Sequence, residues 1–317
     1  MECSICKNTE NNEPLIFHEK MFAMNESFKY FRCPKCGCIQ IAQNIENIGH
    51  YYPKNYYSFS EGKGFLSVQK DKLENWILKN IALNRLNRSR CKLISSIASS
   101  YKEHWEYYFE WLDSKYFHIN NRILDIGCGS GTLLKRLACT GFKNLQGIDP
   151  FIEKDIQGEG YSVAKKNMFD LKEKYDVIML HHSFEHMDNP HEVMEQLKAV
   201  LAENGTILIR IPVADCFAYQ QYKENWFQID APRHFFLHTR KSMHLLAEAH
   251  GFMIDKMIDD STGKQFVYSE RYAKGLTLND NALSFSRSQQ KEFREKAKSL
   301  NLSNKGDQTC FFLKVKQ

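Results

Sequence analysis

The 317-residue sequence contains no apolar run near the roughly 18 residues that a membrane-spanning helix needs; runs such as Val177-Ile-Met-Leu180 and Thr206-Ile-Leu-Ile209 are only a few residues long. An excess of either charge is also missing. The 43 Lys and Arg against 38 Asp and Glu leave a formal +5, too balanced for a surface dedicated to nucleic acid or to an anionic membrane, so neither is an expected partner. The opening Met1-Glu2-Cys3-Ser4 lacks the basic residues and apolar stretch of a secretory leader, which makes the cytoplasm the expected location. No internal repeat or low-complexity tract is found. With 43% hydrophobic and 26% charged residues, the composition is that of a folded globular chain rather than a disordered or collagenous one, and the length suggests about two domains.

What is abundant is cysteine, at 10 residues, and in a reducing compartment its spacing reads first as metal or redox chemistry. Cys3 and Cys6 form one C-x-x-C pair, and Cys33 and Cys36 form a second after 26 intervening residues. Two such pairs supply the four thiolates of a tetrahedral structural zinc site with no open position. Gly37 lets the chain turn sharply behind Cys36, and Pro34 stiffens the same turn. Cys38 is a spare thiol that can replace Cys36 or remain unbound. A thioredoxin-like redox role fits less well, because one reactive pair suffices for it and no βαβ pattern surrounds either pair.

Residues 1 to about 45 read as a ribbon of short strands, followed by an aromatic loop, Tyr51-Tyr-Pro-Lys-Asn-Tyr-Tyr-Ser-Phe59. From Phe65 to Ser99, apolar residues at helical spacing predict one or two amphipathic helices. From Arg122 onward, short apolar runs alternate with helical patterns. Strands are predicted at Ile123–Ile126, Leu145–Asp149, Tyr175–His181 and Thr206–Pro212, and helices after Gly131, over Pro190–Ala202 and over Lys241–His250. That order implies an α/β, doubly wound, Rossmann-like parallel sheet, with ligands beyond the carboxyl ends of its strands. The tail from Asp307 to Val315 is expected to close the sheet as an antiparallel edge strand.

Asp125-Ile-Gly-Cys-Gly-Ser-Gly131 sits where the first of these strands turns into a helix, so a ligand approaches the backbone closely there. The dinucleotide fingerprint fails because Thr132 stands where its third glycine belongs, and Asp125 would repel a pyrophosphate. The phosphate-loop motif is missing too. The turn suits a nucleoside with a cationic amino-acid tail, as in S-adenosylmethionine: Asp125 offers negative charge to the α-amino group, and Asp149, ending the second strand, can accept hydrogen bonds from both ribose hydroxyls. Over residues 115 to 255 the sequence resembles the class I S-adenosylmethionine-dependent methyltransferases. The resemblance implies that Gly127, Gly129 and Gly131, with Cys128 between them, line the methionine end, and that Pro150 or Phe151 covers one adenine face. It places Asn167 and Met168 beside the adenine and counts His181 among the cofactor contacts.

The fourth strand leads into His181-His-Ser-Phe-Glu-His-Met-Asp-Asn-Pro190, a concentration of imidazoles and a carboxylate at the expected reacting edge. Methyl transfer to a hydroxyl or a carbon acid requires loss of a proton, and a histidine is suited to take it. His186 is the first candidate base, with His234 and Glu185 as the other catalytic candidates. The later segment Trp226-Phe-Gln-Ile-Asp-Ala-Pro-Arg-His-Phe-Phe-Leu-His238 supplies Arg233 as a fork for an anionic group and Trp226 as an apolar wall, and Tyr56 of the aromatic loop joins them on the substrate side. The purely structural alternatives are that Glu185 caps the following turn and that Arg233 holds Asp230.

The four-cysteine ribbon, the aromatic loop, Phe184-Glu-His186 and Pro232-Arg-His234 together resemble bacterial methyltransferases of surface-polysaccharide and sugar biosynthesis, in a layout similar to the zinc-containing deoxysugar methyltransferases. The organisation this implies is a zinc-ribbon domain over 1–60, a helical linker or cap over 61–115 and a methyltransferase domain over 116–317. The implied acceptor is a small polar molecule of the sugar or nucleotide-sugar class. This chain is shorter at its carboxyl end than those relatives, so O-methylation is as well supported as C-methylation. Two other readings stay open: an RNA or protein methyltransferase docking through the ribbon and through Arg85, Arg88 and Arg90, and a non-catalytic zinc-ribbon interaction protein.

Overall fold

A computed structural model describes residues 1–24, 26–52, 76, 79, 80, 82, 83, 85, 86, 110–278, 280 and 282–316. Tyr56, Arg88, Arg90 and most of the segment expected to be helical between Phe65 and Ser99 lie outside the described residues. The chain divides into two compact units. One comprises residues 1–52, 184–195 and 210–317, and the other residues 53–183 and 196–209.

The second unit carries the parallel sheet. Strands β4 (Arg122–Ile126), β5 (Asn144–Ile148), β6 (Ile156–Gly158), β7 (Tyr161–Ala164) and β8 (Tyr175–His181), together with Leu201–Ile209 of β9 (Leu201–Pro212), lie in the order β9-β8-β4-β5-β7-β6. β4 pairs in parallel with both β5 and β8, and β5 pairs in parallel with β7; β6 and β7 form an antiparallel hairpin. The central strands are continuous apolar runs because both of their faces are covered: Ile123, Leu124, Val177, Ile178 and Leu180 are all buried. Between β4 and β5 runs the helix Thr132–Thr140. It starts from Gly131 in the left-handed region, with no side-chain cap, and ends on Gly141, also left-handed, whose N–H reaches the carbonyl of Ala138.

In the first unit, β1 (Glu13–His18), β2 (Ser27–Arg32), β3 (Ile39–Ile41) and β10 (Phe236–Leu237) form a four-stranded sheet in that order, and each neighbouring pair is antiparallel. Its core packs Phe17, Phe28, Tyr30 and Leu237 against Trp226 and Phe266. Thr239 and Ser242 exchange a capping box at the start of the helix Arg240–Ala249, as expected for a sequence that places a hydroxyl three residues ahead of another polar side chain. The same unit holds Arg210–Pro212 of β9, then β12 (Gln308–Val315) and β11 (Phe252–Asp259), in the order β11-β12-β9.

Two expectations need correction. The carboxyl-terminal strand is antiparallel to its partner, as predicted, yet it is not at the edge: β12 is covered on one side by β11 and on the other by β9. Its unbroken buried run, Gln308 to Leu313, is what an interior position demands, whereas β11 exposes Met253 and Met257 as an edge strand can. The helix from Pro190 stops at Val200, and the next strand starts at once at Leu201 instead of at Thr206; Asn204, with φ of 59°, lies within it.

His238 follows β10 and is completely buried. Its ring stacks between those of Phe184 and Phe236, at 5.3 and 5.6 Å, and its Nδ1 lies 3.3 Å from the Ser242 hydroxyl. Burial lowers its pKa to about 4, although the charge of Glu185 pulls the other way. The unfolded imidazole titrates near 6.5, so between pH 6.5 and 4 the unfolded chain binds a proton that the folded chain refuses. Stability is therefore expected to fall as the solution is acidified through that window, with this group contributing a slope approaching about 1.4 kcal/mol per pH unit. Urea titrations at several pH values, compared with His238→Gln, test this. The variant should lose that part of the slope, and an unchanged slope would contradict the assignment.

Candidate functional site

In the second unit, the turn after β4 is built by glycines held where other residues are strained. Gly127 has φ of +72°, and a Cβ there would lie 2.5 Å from the Ser183 Cβ; Gly131 has φ of +74°, and a Cβ would lie 2.6 Å from a Val163 methyl. The carboxylate of Asp149 ties this turn to the end of β5. Its Oδ2 accepts the Gly129 N–H at 2.9 Å and its Oδ1 accepts the Phe151 N–H at 2.8 Å. A carboxylate accepts about four hydrogen bonds, so both oxygens retain lone pairs for a diol. Phe151 itself is two-thirds exposed, at 67%.

Asp125, in β4 directly before the turn, is buried, and its Oδ1 has no hydrogen-bond partner. Burial, with the Asp149 charge adding to it, pushes its carboxyl up to about 8, so around neutral pH it is largely protonated. A buried acid with an idle oxygen, next to a backbone that admits no side chains, is a site that gains from a cationic ligand. These residues fit S-adenosylmethionine: Asp125 would face positive charge, Asp149 would take the ribose hydroxyls and the glycines would admit the chain between them. The other expected contacts are more varied. Cys128 lies within the turn, and burial raises its thiol. Asn167 uses its side-chain oxygen to accept the Phe169 N–H and so caps the short helix Met168–Asp170, in which Met168 is buried. His181 ends β8 with its ring 4.7 Å from that of Trp111, and Pro150 is exposed.

The first unit holds two further groupings. The sulfurs of Cys3, Cys6, Cys33 and Cys36 all lie within 4.8 Å of one another, with Cys3 to Cys36 at 3.6 Å and Cys6 to Cys33 at 3.5 Å. Four sulfurs around one zinc ion at about 2.3 Å would be about 3.8 Å apart, so the tetrad fits that ion. Cys36 belongs to it and Cys38 does not; the Cys38 thiol points to the Ile39 carbonyl. Gly37, with φ of +77°, closes the turn by donating its N–H to the Cys33 carbonyl, and the Gln40 side chain donates to the Cys3 sulfur at 3.1 Å. The hydrogen bond from Cys36 is the main cause that holds the Cys3 thiol below its ordinary range.

The second grouping brings the three catalytic candidates together: ligand atoms of Glu185, His186 and His234 lie within 4.8 Å of one another. The imidazole rings of His186 and His234 are 4.7 Å apart, and Tyr52, which the sequence did not single out beyond its place in the aromatic loop, sets its hydroxyl 3.0 Å from His186 Nδ1. His234 Nε2 lies 3.9 Å from Glu185 and 3.8 Å from Asp230. Burial, reinforced by His186, lowers the His234 pKa to about 4, so the ring is neutral around pH 7 and neither contact is an ion pair there.

The expected substrate-side residues are used differently. Arg233 is wholly buried, and all three of its guanidinium nitrogens are engaged. Nε and one terminal nitrogen donate to Asp230, that same terminal nitrogen donates to Glu19 at 2.7 Å, and the other donates to the Tyr51 carbonyl. Of the two readings of this residue, pairing with Asp230 is the one observed. Trp226 is also fully buried, and its Nε1 donates to Asp307 at 3.2 Å, so it is a core residue rather than a wall open to a ligand.

The sequence matches the family model described as "Methyltransferase domain" over residues 94–256. No curated protein matches it significantly. Among solved structures it is similar to the plantazolicin methyltransferase BpumL in complex with a monoazolic desmethylPZN analog and SAH, at 19% identity over 78% of this chain and 99% of that one, with a TM-score of 0.41. It is similar as well to the O-methyltransferase of a trans-AT PKS multienzyme of Brevibacillus brevis in complex with S-adenosyl-L-homocysteine, at 17% identity over 75% and 80% of the two chains and a TM-score of 0.40. A third likeness is to the mycolic acid cyclopropane synthase CmaA1 complexed with SAH and CTAB, at 14% identity, 61% and 78% coverage and a TM-score of 0.40. With the family match spanning half of its length, the chain belongs to the methyltransferase-domain family and is an S-adenosylmethionine-dependent methyltransferase.

Proposed function

We propose that the protein methylates a small polar acceptor of the sugar or nucleotide-sugar class, in surface-polysaccharide or secondary metabolism in the cytoplasm. The observation that carries this reading is the convergence of Glu185, His186 and His234, with the Tyr52 hydroxyl beside them: a group of hydrogen-bonding side chains suited to a hydroxylated molecule. In this reading S-adenosylmethionine occupies the glycine turn, and the imidazole and carboxylate group removes the acceptor's proton as the methyl group arrives. Among the described residues no helix is long and apolar enough to cross a membrane.

The test is a screen with methyl-labelled S-adenosylmethionine against nucleotide sugars, RNA and protein. Label is expected in a nucleotide sugar, and His186→Ala or His234→Ala should lower turnover about a hundredfold or more while cofactor affinity holds. Label in RNA with an affinity that collapses as salt is raised would overturn the small-molecule reading, and full activity in both variants would remove these side chains from the reaction.

We also propose that Cys3, Cys6, Cys33 and Cys36 hold a structural zinc ion, supported by the sulfur spacings above. Structural zinc contributes folding free energy, so Cys33→Ser should release the metal, measured by elemental analysis, and lower the unfolding temperature. Wild-type protein that is metal-free at unchanged stability would contradict the assignment.

A further inference from the structure

Hydrogen bonding fixes the protons on the two imidazoles. His234 Nδ1 lies 2.8 Å from the Gln228 carbonyl, and His186 Nδ1 lies 2.9 Å from the Arg233 carbonyl. A carbonyl oxygen only accepts, so each Nδ1 must carry the hydrogen. The Tyr52 hydroxyl does not reverse this for His186, because a bare Nδ1 taking the tyrosine proton would set its lone pair 2.9 Å from that of the carbonyl. Both rings, when neutral, therefore present an unprotonated Nε2. A histidine whose Nδ1–H is committed to a backbone carbonyl is the usual arrangement of a metal ligand, since the carbonyl holds both the tautomer and the ring plane.

His234 Nε2 lies 3.9 Å from the buried Glu185 carboxylate, and the His186 ring is 4.7 Å from that of His234. The ligand atoms of Glu185, His186 and His234 share a region 4.8 Å across, and the Asp230 carboxylate adds negative charge 3.8 Å from His234 Nε2. Ligands about 2.1 Å from a first-row divalent cation are spaced about 3.0–3.5 Å, so modest side-chain rotation closes the shell. The residues come from two short segments, the turn Phe184–His186 and the stretch Asp230–His234, and the backbone of the second is anchored by the buried Arg233.

We propose that His186 Nε2, His234 Nε2 and the Glu185 carboxylate form a second metal site, distinct from the cysteine tetrad, that binds one divalent first-row cation and leaves positions open for oxygen ligands. Two imidazoles and one carboxylate suit zinc, cobalt, manganese, nickel or iron(II) rather than magnesium or calcium, which prefer all-oxygen shells. The inference goes beyond the proposed function and rests on it in one respect only: there these side chains act on the acceptor's hydroxyl, and a bound cation would do so by coordinating that oxygen and making it more acidic.

The test is a cobalt(II) titration of the full-length, zinc-loaded protein, read by visible absorption and calorimetry. One cobalt per chain is expected, with weak visible bands and without the intense sulfur-to-cobalt absorption of a thiolate site. Glu185→Gln and His186→Gln should each weaken binding at least tenfold while keeping the wild-type circular dichroism. Failure of the wild type to bind, or equal binding in both variants, overturns the proposal. If a variant does not fold, nitrogen-15 spectra of the wild-type imidazoles decide. The proposal requires Nδ1–H tautomers at His186 and His234 and paramagnetic broadening of both rings by cobalt; an Nε2–H tautomer or unbroadened signals would refute it. Because the readout is binding, a missing cation leaves the sugar-acceptor reading standing, and an inactive protein that binds cobalt leaves the metal site standing.

Discussion

The first unit is organised around one buried cation. Arg233 has no exposure to water, and the carboxylates that compensate it, Glu19 and Asp230, are buried with it but lie far apart in the sequence. Desolvating such a set costs several kcal/mol, and removing a single partner from one typically costs about 3–5 kcal/mol, so the native arrangement is held only while all members are present. Burial works against the ionised Asp230, but Arg233 more than offsets it and leaves that carboxyl below its ordinary range. The consequence is positional: the residue after Arg233 is His234, whose carbonyl accepts the Tyr30 hydroxyl, and the next residue, Phe235, gives its carbonyl to the Ile41 N–H. The amino-terminal ribbon and the segment around residue 234 are thereby a single folded piece.

That piece extends to the cysteines. Thr239, which caps the following helix, donates its hydroxyl to the Cys36 carbonyl at 2.6 Å, and Gln40 accepts the Ser4 N–H while donating to the Cys3 sulfur. A tetrad held by such secondary contacts keeps its geometry at modest entropic cost when a metal binds. The glycine turn of the second unit follows a different economy. There the backbone carries the shape, and an idle buried oxygen of Asp125 is left for a ligand to satisfy. Sites that pay a local penalty of this kind are where ligand binding gains most.

The extent to which these features were legible in the sequence follows from the range of their causes. The glycine turn, Asp149 and the paired cysteines are local patterns, each read within a few residues, and the structure places the turn at the end of β4 and brings the four sulfurs together. Strands β4, β5 and β8 were legible in the sequence for the same reason, since burial leaves short apolar runs, whereas β7, with only Val163 buried, carries no such run. Arg233 was open to two readings because its charge partner Glu19 is 214 residues away and carries no signal in its own neighbourhood. Trp226 was misplaced because burial is a property of the whole unit, not of the aromatic cluster in which it sits. β11 leaves no clear strand signal because Asp255 and Lys256 break its apolar alternation, and without it β12 reads as an edge. The proximity of Glu185 and His186 to His234 has no sequence signature beyond the residue types themselves.

The claim on which the chemistry depends is that S-adenosylmethionine binds in the glycine turn between Asp125 and Asp149. Calorimetric titration of zinc-loaded protein with S-adenosylhomocysteine, run in parallel on Asp149→Ala, tests it most directly. One site per chain, weakened at least tenfold in the variant while its unfolding temperature changes little, is the predicted result. Equal affinity in the two proteins would place the cofactor elsewhere and contradict the account.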